Sequence, residues 1–177
     1  MTALFVLSLW WTFWPPQDAP EHVEADALLV LGPHGARMAD ADKFMDVGLA
    51  ETLVIATSGE CEDEAAYRVV CFRPDPYTTQ GEAIFLRDMA EEHDWDSAAV
   101  MTVDHHVTRS RLHMNRCFDG DLYMIGVEAE GLWGSWWRTY LYQNTGLAHA
   151  LISPGCESEP PGWLEDLRER AKDIVRT

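Results

Sequence analysis

Val100-Met101-Thr102-Val103-Asp104-His105-His106-Val107-Thr108-Arg109-Ser110-Arg111 is an apolar run that stops at a polar cluster and restarts as a helix. The break places Asp104, His105, His106 and Arg109 at the carboxyl end of a buried strand. In an open α/β sheet that edge is where ligands bind, because loop backbone and helix amino termini converge there on one crevice. An acid, two imidazoles and a guanidinium therefore carry more chemical meaning there than on an outer helix face.

The same alternation extends to both sides of this stretch. Ala27 to Leu31 is a continuous apolar run ending at Gly32-Pro33, as expected of a strand buried on both faces. A helix over Ala36 to Val47, closed by Gly48, leads to a second buried strand, Thr52 to Thr57, which ends at Ser58-Gly59. A short acidic helix is expected over about residues 62–70. After the Pro74-Asp75-Pro76 turn a long helix begins at Thr78 or Thr79, with Thr79 and Glu82 spaced as a capping box. Ala98 to Val103 is the third strand, Thr108 to Phe118 a helix and Leu122 to Val127 a fourth strand. Trp133 to Ile152 reads as an aromatic-rich helix and Pro160 to Ile174 as a charged terminal one. Strands separated by helices imply right-handed crossovers, so the expected fold is an α/β, Rossmann-like three-layer sandwich with a mostly parallel sheet. Residues 26–177 form one domain with a C-terminal helical extension, preceded by a linker at 17–25 and an apolar segment at 1–16.

With 177 residues, 47% of them apolar, the chain can build one normal core. Thirty Asp and Glu against thirteen Lys and Arg give a net charge of −17. That balance opposes nucleic acid as a partner, because little basic surface is available to displace counterions. It leaves room for a small anion held locally by arginine and backbone amides. The chain is read as a monomer, and no residue pattern names a cofactor.

Thr2 to Trp14 is apolar and Trp-rich and ends at Pro15-Pro16. About 20 apolar residues are needed to span a bilayer, and this run is shorter. Three readings stay open for residues 2–14: a short signal-anchor, an interfacial aromatic anchor, or a segment packed on the domain. Cys61, Cys71, Cys117 and Cys156 form an even set without Cys-x-x-Cys, which argues against a zinc ribbon. The simplest connectivity pairs Cys61 with Cys71 and Cys117 with Cys156, against the alternative of four reduced thiols in a cytoplasmic protein. Disulfides would place the domain outside the cytoplasm.

Three strand ends then supply one candidate site. Gly32, Ser58 and Gly59 let backbone amides approach an anion, Arg37 or Arg109 offers a forked counter-ion, and His106 is an acid or base near neutral pH. Thr79, Glu82 and Asp104 complete the set. Gly-Pro-His-Gly at 32–35 is neither a P-loop nor a dinucleotide fingerprint. The Trp133, Trp136, Trp137 and Tyr140 group has the spacing of helix packing, and Arg111, His113 and Arg116 that of a solvated face.

In this order the motifs resemble the DUF218 family of YdcF-like and SanA-like proteins. The likeness covers about residues 26–127: Asp-Ala-Leu-Leu-Val-Leu-Gly at 26–32, Arg37 opening a helix, Leu-Val-Ile-Ala-Thr-Ser-Gly at 53–59, Thr-Thr-Gln-Gly-Glu-Ala at 78–83, and the block at 100–111. The resemblance maps the family's histidine and arginine onto His106 and Arg109, its threonine and glutamate onto Thr79 and Glu82, and its Ser-Gly-Gly onto Ser58-Gly59-Glu60. Glu60 and Pro33 depart from the family's glycines. What the resemblance implies is a Rossmann-like domain, often anchored to the bacterial inner membrane and linked to envelope integrity, with no settled reaction. Two functional classes follow. One is a hydrolase or transferase acting on a phosphorylated envelope precursor, with Arg109 and Arg37 binding the anion, His106 as acid or base, and Glu82 orienting it or binding a metal. The other is a non-catalytic ligand-binding or scaffold protein of the envelope. A cytoplasmic binder of a nucleotide or adenosyl cofactor remains the third reading.

Overall fold

In a computed structural model, residues 2–19, 21, 23–32, 35–57, 66–129, 136–153 and 155–157 are described. Five strands, β1 (Ala25–Val30), β2 (Ala50–Ala56), β3 (Arg68–Phe72), β4 (Ser97–Val103) and β5 (Asp121–Val127), form one sheet in the order β3-β2-β1-β4-β5. Every pairing is parallel. β1 lies at its centre and pairs with β4 in the register Leu29↔Val100, and Leu28, Leu29, Val30, Val100 and Met101 have no accessible surface. Their unbroken apolar runs are explained by burial on both faces.

Alternate strand residues enter two cores. Leu29, Val54, Val100 and Met124 pack with Leu86, Val107 and Met114 from α3 (Thr79–His93) and α4 (Val107–Cys117). Leu28, Val30, Ile55 and Met101 pack with Ala41 and Met45 of α2 (Gly35–Asp46). The α/β three-layer sandwich expected from the sequence is therefore present, with an all-parallel sheet. The chain winds outward from β1 through α2 to β2 and β3. It then returns over the opposite face through α3 to β4, so the winding direction reverses between β1 and β4. At such a reversal, the helices following the two strands leave on opposite faces and open a crevice.

Two expectations are corrected. Where an acidic helix was expected to run to Val70, residues 68–72 form the edge strand β3, paired Val69↔Leu53 and Cys71↔Ile55. The β-branched pair Val69-Val70 and the alternation through Phe72 suit a pleated edge, whereas the acidic character sits upstream, at residues 62–64. The cap of α3 is Thr78, whose Oγ1 accepts from the Gly81 amide at 3.3 Å. The Thr79–Glu82 capping box is thus not formed, because the cap falls one residue earlier, and neither side chain is used in capping. Gly81 is required there, because a Cβ would run into the Pro76 carbonyl.

No helix among the described residues is long and apolar enough to cross a membrane. α1 (Thr2–Phe13) instead lies on the domain against α5 (Trp136–Ile152) and α4. Ser8 and Tyr140 share a hydrogen bond of 2.6 Å, Asn144 Nδ2 donates to Thr12 Oγ1, and Thr108 Oγ1 donates to the Trp11 carbonyl. Val6, Leu7, Trp10 and Trp14 face outward. In the expected linker, Asp18 bonds Met124 of β5 twice, through its amide (2.8 Å) and its carboxylate (2.7 Å). The Asp26 carboxylate accepts from the Asp96 and Ser97 amides and the Ser97 hydroxyl, fastening β1 to the start of β4. Arg111 and Arg116, expected on a solvated face, donate to the carbonyls of Pro16 and of Ala150 and Ser153.

Cys117 and Cys156 form a disulfide that ties the end of α4 to the segment after α5. Cys71 is also disulfide-bonded. Its expected partner Cys61 lies outside the described residues, as do Ser58, Gly59 and the terminal helix expected at 160–174.

Candidate functional site

The site lies at the carboxyl ends of β1 and β4. After β1 the Leu31 amide continues the pairing with Met101, and Gly32 adopts a left-handed conformation with φ +54°. This turn wraps around Arg37 of α2, whose Nη1 donates to the Leu31 carbonyl at 2.8 Å. A Cβ on Gly32 would meet that nitrogen at an ordinary contact distance, 3.4 Å, so it is the left-handed turn that calls for glycine.

On the other side of the crevice β4 ends at Val103. One 3-10 turn, Asp104–His106, then feeds α4. The tighter winding sends the two adjacent histidines apart. His106 is held at both ring nitrogens, Nδ1 3.0 Å from Thr102 Oγ1 and Nε2 3.3 Å from Thr79 Oγ1. Burial, and next the Arg109 charge, keep His106 well below the usual imidazole range, so it is neutral. His105 points toward α1 and α5, where burial lowers it to about 4 against the opposing charge of Asp104. Asp104 Oδ1 accepts from Gln17 Nε2 at 3.2 Å, which commits it to the segment before β1.

Arg109 lies one helical turn beyond His106. Its Nη1 donates to Thr79 Oγ1 (3.4 Å), its Nε donates to Gln143 Oε1 (3.0 Å), and its guanidinium sits 5.4 Å from the Tyr142 ring centroid. Thr79 is consequently a junction between α3 and α4. Since Arg109 only donates, Thr79 Oγ1 accepts from it and can turn its own proton toward His106 Nε2. That leaves Nδ1 protonated and donating to Thr102. Glu82, one turn into α3, is 9% exposed. Burial raises its carboxyl to about 7, with Arg109 and Arg37 opposing the rise. Arg37 is in turn lowered by burial and supported by Glu82.

Of the residues expected from the sequence, Arg37, Thr79, Glu82, His106 and Arg109 converge, with Gly32 shaping the turn beside them. Asp104 is brought to Gln17 instead, and Ser58 and Gly59 lie outside the described residues. Sequence reasoning missed Thr102, Tyr142 and Gln143. Thr102 could have been found as a polar residue at the end of an apolar strand, four residues before His106. Gln143 and Tyr142 were hidden in a helix read as aromatic packing. The clue there was Gln143 followed three residues later by Gly146, where a Cβ would approach Arg109 Cδ to 2.8 Å.

The assembled chemistry is specific. Two guanidinium groups can bind an oxyanion through forked hydrogen bonds. One buried carboxyl titrates near neutral pH and can give or take a proton. The histidine is already committed to two threonines and acts as a brace. Among the described residues no group of three or more His, Cys, Asp or Glu could hold a metal ion. No protein-family model, curated protein or solved structure matches the chain.

Proposed function

We propose that this chain is a DUF218-like protein of the cell envelope whose crevice binds a phosphate-bearing ligand, and that it is a hydrolase or transferase acting on a phosphorylated envelope precursor. The observation that carries the reading is the placement of Arg37 and Arg109 around Glu82 at the reversal of the sheet, with the Glu82 carboxyl raised to about 7. In this reading the two arginines hold the anion and Glu82 is the general acid or base. His106 fixes Thr79 and, through it, Arg109. This revises the role expected for His106, because a neutral ring engaged at both nitrogens is poorly placed to exchange protons. The Cys117–Cys156 disulfide favours an oxidising compartment over the cytoplasm. The outward Trp10 and Trp14 suit attachment at a membrane interface.

Ligand identity is tested by a thermal-shift screen with nucleotides, sugar-nucleotides and polyprenyl phosphates, each with and without Mg²⁺. Once a ligand is found, Glu82→Gln is expected to cut turnover by about 10²-fold or more while binding persists. Arg109→Ala is expected to weaken binding itself by about tenfold or more, the worth of a charged hydrogen bond. Turnover that survives Glu82→Gln removes the carboxyl from the chemistry. Tight binding without turnover of any phosphorylated compound leaves the non-catalytic binding protein as the reading.

A further inference from the structure

A cavity of about 330 Å³ lies between α1, the 3-10 turn and α5, bordered among others by Trp11, His105, Arg109 and Leu147. Glu82 is not on its wall, whereas Arg109 is. Its Nη1 reaches Thr79 in the crevice, while its Nε meets Gln143 on the cavity wall. Apart from His105, whose buried Nδ1 has no hydrogen-bond partner, most polar side chains along the wall are already engaged. Ser8 is bonded to Tyr140, Thr12 to the Ser8 carbonyl, Asn144 to Thr12 and Thr108 to the Trp11 carbonyl. A guest therefore meets indole, leucine and methylene surface beside the His105 imidazole, and no polar group on those four side chains demands a partner from it.

We infer that this cavity is the slot for the hydrocarbon chain of a phosphate-bearing amphiphile whose anionic head is held in the crevice by Arg109 and Arg37. The inference rests on the anion-binding reading above and adds to it a ligand class and a second subsite. The volume falls at the lower end of the range for small-molecule sites, about 300–1,000 Å³. Counted at roughly the 30 Å³ of one water per carbon, it admits about ten carbons. An amphiphile fits better than a wholly apolar guest because the cavity's charged border is the same side chain that reaches into the anion site.

The test is a titration of the full chain with inorganic phosphate and with n-alkyl phosphates of four, six, eight and ten carbons, below their aggregation concentrations, with n-octanol as the headless control. Affinity is expected to rise roughly fourfold per added carbon. Leu147→Trp, which fills the cavity, is expected to flatten the series while leaving inorganic phosphate binding unchanged. Should that variant misfold, the chain-length series on the unaltered protein decides the matter alone. Phosphate binding with no dependence on chain length overturns the slot and leaves the anion site standing. Octanol binding as tightly as octyl phosphate overturns the link between the two subsites. Binding of neither phosphate nor any alkyl phosphate overturns both the slot and the anion-binding reading.

Discussion

Glu82 sets the pH response of the molecule at the scale of single residues. Its carboxyl is raised from 4.5 to about 7 by burial, so in the folded state it holds its proton where the unfolded chain has released it. The stabilising contribution is complete below about pH 4.5 and is lost as pH rises through about 7. At about 1.4 kcal/mol per pK unit the effect is on the order of 3 kcal/mol. His105, lowered to about 4, acts in the opposite sense, with stability present above 6.5 and lost as pH falls toward 4. Comparison with Glu82→Gln cancels the histidine contribution, since both proteins carry it. The Tm of the variant relative to the parent is expected to climb by several degrees between pH 5 and pH 8. A pH-independent difference in scanning calorimetry would put Glu82 at its ordinary value. Most of this site was legible because His106, Arg109, Thr79 and Glu82 each follow a strand or turn that announces itself in sequence. What could not be read was direction. Which of two adjacent histidines enters the crevice depends on a single 3-10 turn, and that turn also sends Asp104 toward Gln17.

Among the elements, α5 is the one whose role the sequence concealed. Its Trp, Tyr and Leu content reads as packing, yet it supplies Gln143 and Tyr142 to Arg109, and Gly146 supplies the space that lets the guanidinium reach Thr79. Glycine inside a helix costs about 1 kcal/mol relative to alanine, so Gly146→Ala is expected to hold or raise Tm. The added methyl meets Arg109 Cδ, and affinity for inorganic phosphate is expected to fall severalfold. Loss of Tm together with unchanged phosphate affinity, measured by calorimetry on one preparation, would make the glycine a packing residue only. The strands and the other helices were legible to within a residue or two, because two-sided burial forces unbroken apolar runs at β1, β2 and β4. β3 was not, since an edge strand is half-buried and its Val69-Val70-Cys71-Phe72 run follows directly on acidic sequence. Thr78 and Thr79 are chemically identical as caps. Only the backbone decides which one caps α3 and which one faces the crevice.

For the whole molecule, the Cys117–Cys156 bridge closes a separation of 39 residues that includes β5 and α5. It holds the segment after α5 against α3, where Gln80 donates to the Cys156 carbonyl and Arg87 to Glu157. A loop of that size is worth about 4 kcal/mol in chain entropy, so replacing both cysteines by serine is expected to lower Tm by roughly 10 °C. An unchanged Tm under reducing and oxidising conditions would show that the bridge does not bear on folding. Sheet growth is governed at another place. Asp18 offers Met124 one amide and one carboxylate, so a side chain completes what a sixth strand would otherwise supply. Gly126 lets this strap lie flat, because a Cβ there would strike Gln17 and Asp104. At that position β5 is closed to strand addition by a second copy, which limits self-association along that edge of the sheet.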